Sequence, residues 1–349
     1  MSKEIPIEKF LELSNNTPII DVRSPAEYEQ AHIPGALNLP LFSNDQRALI
    51  GTIYKQKGKV KAVTAGLEIV GPKMVSFTKF ALSLHSETVL IHCWRGGMRS
   101  ASMAWLIETV GIKCNILAGG YKSYRTYIRE QLEKPFNIIL LGGFTGSGKT
   151  DLLKLLNENG KQMIDLEGIA HHKGSAFGAI GQSVQPTTEM FENLLYLEVS
   201  KLDPSKPIWV EDESHNIGKV FIPDPFWLQM RQSPLVVINA TFEQRVERLV
   251  RDYGNYPIQN LMVSIKKIEK RLGYDKCKHA LEACENNNIK TAAQICLLYY
   301  DKAYNSQLVT RFGDKLGTMP SITFDPAFIQ AIIKQLELIA SNLNKNPKI

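Results

Sequence analysis

The segment GFTGSGKT, residues 143–150, constrains the fold of this chain more than any other stretch of its sequence. It follows the apolar run NIILLG and precedes the helical pattern DLLKLLNE, so it stands between a predicted strand and a predicted helix. The spacing G-x-x-x-x-G-K-T in that context is typical of a phosphate-binding loop, whose backbone N–H groups surround an anion. The motif therefore predicts a P-loop NTPase-like, parallel-sheet α/β domain, with candidate phosphate-binding residues Gly143, Gly146, Ser147, Gly148, Lys149 and Thr150.

Within this loop, Lys149 is expected to neutralise terminal phosphate oxygens, and the hydroxyl of Thr150 is suited to Mg²⁺. A second acidic element is expected where the strand in PIWVEDES ends, because Glu211 or Asp212 could hold such an ion through water. The alternative is that these two carboxylates cap a helix. No resident metal site is predicted from the sequence.

The remaining pattern divides the chain into two α/β series. Apolar runs that alternate with helical patterns lie on both sides of the charged segment REQLEKPF. We predict a first domain over residues 1–128, a linker at 129–136, and a second domain with a C-terminal helical region over 137–349. The predicted strands are TPIIDVRS, ALNLPLF, TVLIHC and NILAGG in the first series and NIILLGG, QMIDLE, PIWVEDES and LVVINAT in the second.

Composition narrows the class of protein. The chain has 349 residues, of which 44% are hydrophobic and 22% charged, as in ordinary globular proteins. No run approaches the roughly 18 apolar residues that span a bilayer. The five cysteines include no CxxC pair, so neither a disulfide framework nor a zinc knuckle is indicated. We predict a cytoplasmic protein in a reducing compartment, with no membrane partner.

Positive charge is concentrated in one stretch of the first domain. The net charge is +6, and the segment RALIGTIYKQKGKVKAVTAG carries Lys55, Lys57, Lys59 and Lys61 without an acidic residue. Such a cluster suits a polyanion, since contacts with phosphates release counterions. These lysines are therefore candidate RNA-binding residues, and the alternative is a solvated loop.

A cysteine stands where the strand TVLIHC ends and the next helix begins. A strand-to-helix loop supplies inward backbone N–H groups and the helix dipole, which stabilise a thiolate. In CWRGGMRS, Gly96 and Gly97 allow a tight curl around the sulfur. Cys93 is therefore a candidate nucleophile or chalcogen carrier, with Arg95 and Arg99 as candidate catalytic partners. Taken alone, such a cysteine is more often an inert buried residue.

Three motifs that follow one another along the sequence favour a functional Cys93 over an inert buried one. The segment DVRSPAEYEQAHIPGALNLP, the loop CWRGGMR and the segment LAGGYKSY together resemble a rhodanese-like domain. The resemblance implies an α/β fold that carries sulfur as a cysteine persulfide. It also marks residues 41–72, which contain the basic stretch, as an insert.

The two halves together resemble one family, the tRNA 2-selenouridine synthases. The resemblance rests on the motifs above, the insert, IDLEGIAHHKGSAFG and WVEDESHNIG, and it leaves only about the last forty residues uninformative. It implies that geranyl diphosphate geranylates a wobble 2-thiouridine of tRNA, and that selenium from selenophosphate then replaces the S-geranyl group. The implied partners are tRNA and these two substrates, with no tightly bound cofactor and Mg²⁺ as an optional component.

Weaker features remain open. Phe144, Phe177 and Leu153 are candidates for a prenyl groove, although each is more often core. The adjacent pair His171-His172 lacks a third metal ligand at a suitable spacing, so we favour a role in a phosphate-binding or substrate-binding loop. Three arginines in one helical pattern could contact phosphates: Arg245, Arg248 and Arg251. A second basic run around Tyr274 could contact RNA or form a solvated helix face, and it consists of Lys266, Lys267, Lys270, Arg271, Lys276 and Lys278.

Two other functions stay compatible with the sequence. One is a nucleotide-dependent tRNA sulfurtransferase or small-molecule kinase, which ATP turnover would reveal. The other is a non-catalytic RNA-binding or sulfur-relay adaptor, which would tolerate loss of Lys149.

Overall fold

The computed structural model describes residues 2–313, 317 and 319–345. The chain divides into two compact units. The first comprises Met1–Glu133 with Glu192–Leu197, and the second comprises Lys134–Phe191 with Glu198–Ile349. Residues 346–349 of the predicted second domain lie outside the described residues.

The first unit is built around a parallel sheet of five strands in the order β1-β5-β4-β2-β3. Its elements in chain order are β1 (Lys3–Ile5), α1 (Ile7–Ser14), β2 (Ile19–Asp21), α2 (Pro25–Gln30), β3 (Leu37–Asn38), α3 (Asn44–Val70), a short 3₁₀ turn (Gly71–Lys73), α4 (Met74–Ser83), β4 (Thr88–His92), α5 (Met98–Glu108), β5 (Lys113–Leu117) and α6 (Gly120–Glu133). All four predicted strands of this series are present. The sequence did not predict β1.

A buried apolar layer joins the helices to this sheet. Ile20, Val89 and Ile91 of the central strands pack with Met103 and Ile107 of α5, and all five are almost fully excluded from solvent. Strands that are buried on both faces read as continuous apolar runs, which is why TVLIHC was recognisable. The layer fixes the carboxyl end of β4, where Cys93 follows.

Two features of this unit differ from the sequence-based expectation. The basic stretch lies in α3, which is helical apart from Gly58, where φ is 84° and ψ is 173°. The expected linker at 129–136 is helical as far as Glu133, because α6 continues its buried face through Leu132.

The second unit also has a parallel sheet of five strands, in the order β12-β11-β6-β8-β7. Its elements are β6 (Ile138–Gly142), α7 (Lys149–Glu158), β7 (Gln162–Ile164), α8 (Leu166–Ala170), α9 (Thr188–Val199), β8 (Ile208–Glu211), β9 (Asn216–Ile217), β10 (Val220–Phe221), α10 (Asp224–Gln232), β11 (Leu235–Asn239), α11 (Phe242–Tyr253), α12 (Ile258–Lys267), α13 (Glu269–Leu272), α14 (Tyr274–Glu285), α15 (Ile289–Phe312), β12 (Ser321–Thr323), a 3₁₀ turn (Pro326–Phe328) and α16 (Ile329–Lys345). The residues of α9 that count with the first unit are Glu192–Leu197.

The expected fold class is confirmed. Each unit is an α/β layer with a parallel sheet, and the four strands predicted for the second series are all present. The sequence did not predict β12 or the small antiparallel pair of β9 and β10. In the second unit, β6 lies between β11 and β8, so the phosphate loop that follows β6 meets the residues that follow β8. Among the described residues, no helix is both long and apolar enough to cross a membrane.

Candidate functional site

Cys93 lies directly after β4 and is almost fully buried. Its Sγ is 3.4 Å from the hydroxyl of Ser100 in the first turn of α5. Burial by itself would raise the pKa of the Cys93 thiol. Hydrogen bonds from the Ser100 hydroxyl and from the backbone N–H groups of Arg95 and Ser100, together with the charge of Arg99, outweigh burial and lower the pKa. The other four cysteines are buried, and their pKa values are raised.

Glycine is required at two points around this thiol. Gly96 has a φ of +66°, and Gly120 at the start of α6 has a φ of +62°. A Cβ on Gly120 would lie 2.4 Å from both the carbonyl oxygen of Cys93 and the backbone nitrogen of Gly96. This close approach lets the backbone N–H of Tyr121 donate to the Cys93 carbonyl at 2.8 Å. Gly97, by contrast, has open space around it and a negative φ, so its predicted part in the curl of the loop is not required.

The two candidate arginines of this loop differ in their surroundings. Arg95 is exposed to solvent. Arg99 donates to the carboxylate of Glu27 at 2.8 Å, so part of its charge is neutralised by a residue that the sequence did not mark. Glu27 also accepts from the backbone N–H of Ser24 and so closes the capping box of α2. The first rhodanese-like motif is thereby tied to the helix that follows the cysteine loop.

The predicted phosphate loop connects β6 and α7 in the second unit. Gly143, Gly146 and Gly148 have φ values of 147°, 81° and 96°, a region that side chains rarely enter. Lys149 folds back and donates to the carbonyl of Gly143 at 3.2 Å. The hydroxyl of Ser147 is buried without a hydrogen-bond partner among the described residues. Two backbone N–H groups of the loop already have partners, since Gly143 donates to the Tyr304 hydroxyl at 2.8 Å and Ser147 donates to the Phe144 carbonyl at 3.0 Å.

The structure distinguishes the two acidic candidates at the end of β8. Asp212 accepts from Arg311 of α15 at 2.7 Å and lies 3.9 Å from Arg231, so it belongs to a buried ion pair. Glu211 is fully buried, and neither of its carboxylate oxygens receives a well-formed hydrogen bond from the described residues, although the Thr150 hydroxyl is nearby. Of the pair, Glu211 is the residue left free to act at the phosphate loop.

Two further glutamates meet Glu211 there. Oxygens of Glu167, Glu211 and Glu213 all lie within 4.8 Å of one another. Burial, reinforced by the neighbouring carboxylates, raises the pKa of Glu167 to about 10. Burial raises the pKa of Glu211 to about 7 against the opposing charge of Lys149, and the pKa of Glu213 is raised for the same reason. The positive charge of the protein near these carboxylates therefore offsets only part of the cost of ionising them in a buried position.

A loop after α8 passes directly over these carboxylates. At Gly174 the backbone has a φ of +61°, and a Cβ there would lie 2.7 Å from Glu213 Oε2 and 3.0 Å from Glu167 Oε1. The backbone N–H of Lys173 donates to the carbonyl of Gly178, and that of Ala176 donates to the Tyr300 hydroxyl at 3.1 Å. These bonds hold the loop, which belongs to the motif IDLEGIAHHKGSAFG, over the three glutamates.

A cavity of about 520 Å³ adjoins the phosphate loop and has two chemically different walls. One wall is polar and includes Lys149, Thr150, Lys173, Glu211 and Arg248. The other is largely apolar and comes from α12, α14, α15 and Ile268, which lies between α12 and α13: Leu261, Ile265, Ile268, Cys284, Ile289, Ala292, Ala293, Cys296 and Leu297. A ligand that fills this cavity would combine an anionic end with an apolar body.

The residues proposed for a prenyl groove are only partly brought together. Phe177 lines the cavity. Leu153 is fully buried in the core of the sheet and is not among the residues that line the cavity. Phe144 packs edge to face against Tyr304, with ring centroids 5.3 Å apart, and is not among the lining residues.

The three arginines of α11 have separate roles. Arg245 is buried and forms two 2.7 Å bonds with Asp301. Arg248 donates to the carbonyl of Gly146 at 3.1 Å, lies 3.2 Å from Asp151, and is the one of the three that borders the cavity. Arg251 is largely exposed and pairs with Asp252 and Asp151.

The predicted RNA-binding lysines are all exposed on α3, on both sides of the break at Gly58: Lys55, Lys57, Lys59 and Lys61. They lie on a helix rather than in the solvated loop that was the alternative. The second basic run lies on α12 to α14 and is likewise exposed, as is Tyr274. Exposure leaves both surfaces accessible to a polyanion.

The adjacent histidines do not share a partner. His171 adopts a left-handed conformation with a φ of 50° at the end of α8, and its Nδ1 is 2.9 Å from the carbonyl of Val184. Burial and the charge of Lys267 lower the pKa of His172. Neither belongs to a group of three potential metal ligands within the described part of the chain.

These observations define the class of protein. One chain contains a rhodanese-like unit, in which hydrogen bonds stabilise the thiolate of Cys93, and a P-loop unit. Family profiles agree, since a rhodanese-like domain matches residues 7–127 and the AAA domain of tRNA 2-selenouridine synthase matches residues 136–316. The chain belongs to the tRNA 2-selenouridine synthase family.

Individual relatives carry the same description. A tRNA 2-selenouridine synthase from Sulfurovum sp. is 34% identical over 333 residues, which cover 84% of this chain and 89% of the relative. The one from Nitrosomonas europaea is 38% identical over 249 residues, and the match spans 68% of this chain but only 64% of that relative's length. Among solved structures, the N-terminal domain of a protein from Clostridium difficile 630 is 41% identical, with a TM-score of 0.35 over 36% of this chain and 98% of its own.

Sequence reasoning missed several residues of these sites. Glu167 and Glu213 lie 44 and 2 residues from Glu211, and only the fold brings them together. Both stand inside motifs that the family resemblance had singled out, and this was the signal that could have found them. Ser100 and Glu27 were missed for the same reason, since their partners are set by the packing of α5 and α2.

Proposed function

We propose that this protein is a tRNA 2-selenouridine synthase that works in two steps at a wobble 2-thiouridine. In the first step, the sulfur attacks C1 of geranyl diphosphate, a C–S bond forms, and the C–O bond to the diphosphate breaks. In the second, the Cys93 thiolate adds to the base carbon and the geranylthio group leaves as a thiol, after which the selenium of selenophosphate attacks the same carbon and displaces Cys93. Water then cleaves the Se–P bond and releases phosphate.

The observation that supports a prenyl diphosphate best is the cavity with two walls. Its polar wall holds the phosphate loop with Lys149 and Arg248, which would stabilise the charge on the departing diphosphate. Its apolar wall, from α12, α14 and α15, presents aliphatic side chains that match a hydrocarbon chain. A nucleotide would instead place its base and ribose, which carry polar edges, against this apolar wall.

Alkylation gives the second step its leaving group. A thiocarbonyl sulfur departs poorly, whereas an S-alkyl group departs as a thiol, so prenylation prepares the carbon for attack by selenium. We assign Cys93 to this second step as the nucleophile that expels the geranylthiol and is then displaced from the base carbon by selenium, because its lowered pKa favours the thiolate. Exposed Arg95 would attract the selenophosphate anion.

The nature of the phosphate ligand is tested by calorimetric titration with geranyl diphosphate and with ATP. We expect tighter binding of geranyl diphosphate, because no step of the proposed reaction consumes a nucleotide. Robust tRNA-stimulated ATP hydrolysis without prenyl transfer would instead identify a nucleotide-dependent sulfurtransferase or kinase.

The division of labour is tested by two variants and mass spectrometry of nucleosides from treated tRNA. Lys149→Ala should slow prenylation by about 10² to 10³, the usual effect of losing one donor to a developing charge. Cys93→Ala should still prenylate, so that S-geranyl-2-thiouridine accumulates while 2-selenouridine is absent. Lys201→Ala, at an exposed lysine outside the cavity, serves as the matched control. Loss of geranylation in a folded Cys93→Ala protein that still binds tRNA would show that the partition is wrong.

A further inference from the structure

We propose that Glu167, Glu211 and Glu213 bind a divalent cation directly, beside the phosphate loop, and that they do so before any phosphate compound arrives. This differs from the expectation for the loop itself, in which Thr150 and one strand-end acid would hold an ion mainly through water. The proposal does not depend on which diphosphate the protein uses.

The separation of the carboxylates fits a single ion. One oxygen from each glutamate lies within 4.8 Å of the others. Ligand distances of about 2.1 Å for Mg²⁺ and about 2.4 Å for Ca²⁺ place oxygens on opposite sides of an ion about 4.2 to 4.8 Å apart. All three residues can therefore coordinate one ion while leaving positions for water or phosphate oxygens.

Glu211 provides a second and independent indication. Its side chain is fully buried, and both of its carboxylate oxygens are without a hydrogen-bond partner in the described part of the chain. The nearest lysine of the loop, Lys149, donates to the Gly143 carbonyl. Burying a carboxylate without a partner is costly, and coordination of a cation removes that cost.

The backbone beside the cluster requires a glycine, because it passes close to two of the carboxylates. Gly174 is the residue whose missing Cβ would have stood 2.7 Å from Glu213 and 3.0 Å from Glu167. A side chain at position 174 would clash with the Glu167 and Glu213 oxygens that would coordinate the ion. With all three carboxylates ionised, the cluster and Lys149 together would carry two net negative charges, which a divalent ion balances, and an all-oxygen ligand set favours Mg²⁺, Mn²⁺ or Ca²⁺ over softer metals.

The test uses Mn²⁺ alone, without tRNA or diphosphate. Binding is measured on the full-length protein by electron paramagnetic resonance of free Mn²⁺ and by calorimetry, with displacement by Mg²⁺. We expect one site, with affinity reduced about 10- to 100-fold in Glu211→Gln and in Gly174→Ala. The matched control is Gly160→Ala, because Gly160 has a φ of +74° but a Cβ added there would meet nothing within 4 Å.

Gly160→Ala carries the same kind of backbone strain without touching the carboxylates, so it should bind Mn²⁺ like the unaltered protein. If Gly174→Ala fails to fold, Glu167→Gln, which keeps the size of the side chain, replaces it. The proposal is wrong if the unaltered protein does not bind Mn²⁺, or if folded Glu211→Gln and Glu167→Gln bind it undiminished. Failure here would leave the prenyl-transfer proposal standing, because that proposal is tested by nucleoside analysis and ligand titration.

Discussion

Substitution of Ser100 by alanine should raise the pKa of Cys93 by about one unit. The Ser100 hydroxyl has one proton, and it has two acceptors to choose from: the Gly97 carbonyl at 2.9 Å and Cys93 Sγ at 3.4 Å. With a neutral thiol it donates to the carbonyl, and on ionisation it turns to the sulfur. A hydrogen bond to a charged group contributes about 1.5 to 3 kcal/mol, and losing the carbonyl bond offsets about 1 kcal/mol of this.

The net stabilisation of the thiolate is then about 0.5 to 2 kcal/mol, which corresponds to about one pKa unit at 1.36 kcal/mol per unit. Because the native contacts lower the pKa, removing the hydroxyl decreases the thiolate fraction at neutral pH, and higher pH restores it. The backbone N–H of residue 100 remains in the variant, so a part of the lowering persists.

The assay is the pH dependence of thiolate ultraviolet absorbance, taken as the difference from a Cys93→Ser protein so that tyrosines cancel. The other cysteines titrate at higher pH, and burial raises the pKa of both Cys114 and Cys296 to about 12. Ser83→Ala is the matched control, because its hydroxyl also donates to a carbonyl three residues earlier, Phe80, at 2.7 Å. An unchanged midpoint in folded Ser100→Ala would refute the reasoning.

Three further predictions concern binding and stability. Neutralising the four α3 lysines should weaken tRNA binding and reduce the slope of log affinity against log salt by up to about 3. The control neutralises four other exposed lysines of the first unit, Lys3, Lys9, Lys79 and Lys113, and should change the slope less. Equal changes in slope would contradict the assignment of the α3 lysines to tRNA binding. Ala293→Phe should fill the apolar wall and weaken binding of geranyl diphosphate, while Leu298→Phe on the exposed side of α15 should not, and calorimetry decides between them. Left-handed backbone strain at a residue with a side chain costs about 1 to 2 kcal/mol, and Gly120→Ala should lower the free energy of unfolding by more than this because its Cβ also clashes. Gly111→Ala is the control, since Gly111 has a φ of +88° but open space around it, and it should lower the free energy of unfolding only by the strain. Denaturant titrations measure both values.

The sequence was sufficient where the chemistry is local. The phosphate loop and the cysteine loop each lie between one strand and the next helix, so spacing and glycine content alone predict that Lys149 begins the helix after β6 and that Cys93 directly follows β4. The burial of the central strands follows from the same apolar runs. These features depend on contacts between residues that are close in the chain.

What could not be predicted depends on strands and helices that meet from distant parts of the chain. Arg99 pairs with Glu27, 72 positions away, and Asp212 pairs with Arg311, 99 positions away. Nothing local distinguishes Asp212 from Glu211, and their different roles follow from the position of α15. The helical conformation of the basic stretch was missed because it contains three poor helix formers, Gly51, Gly58 and Gly66.

The position of β12 in the second sheet has a consequence for synthesis on the ribosome. All strands of the first sheet have been made once β5 ends at Leu117, so that sheet can pair early. The second sheet receives its edge strand only with Ser321–Thr323, and its core also needs Ile332, Ile333 and Leu336 of α16. Until those residues emerge, β11 has an open edge and the apolar face beside it is uncovered, a state that favours aggregation. The P-loop unit is therefore the part of the nascent chain with the longest exposure to chaperones.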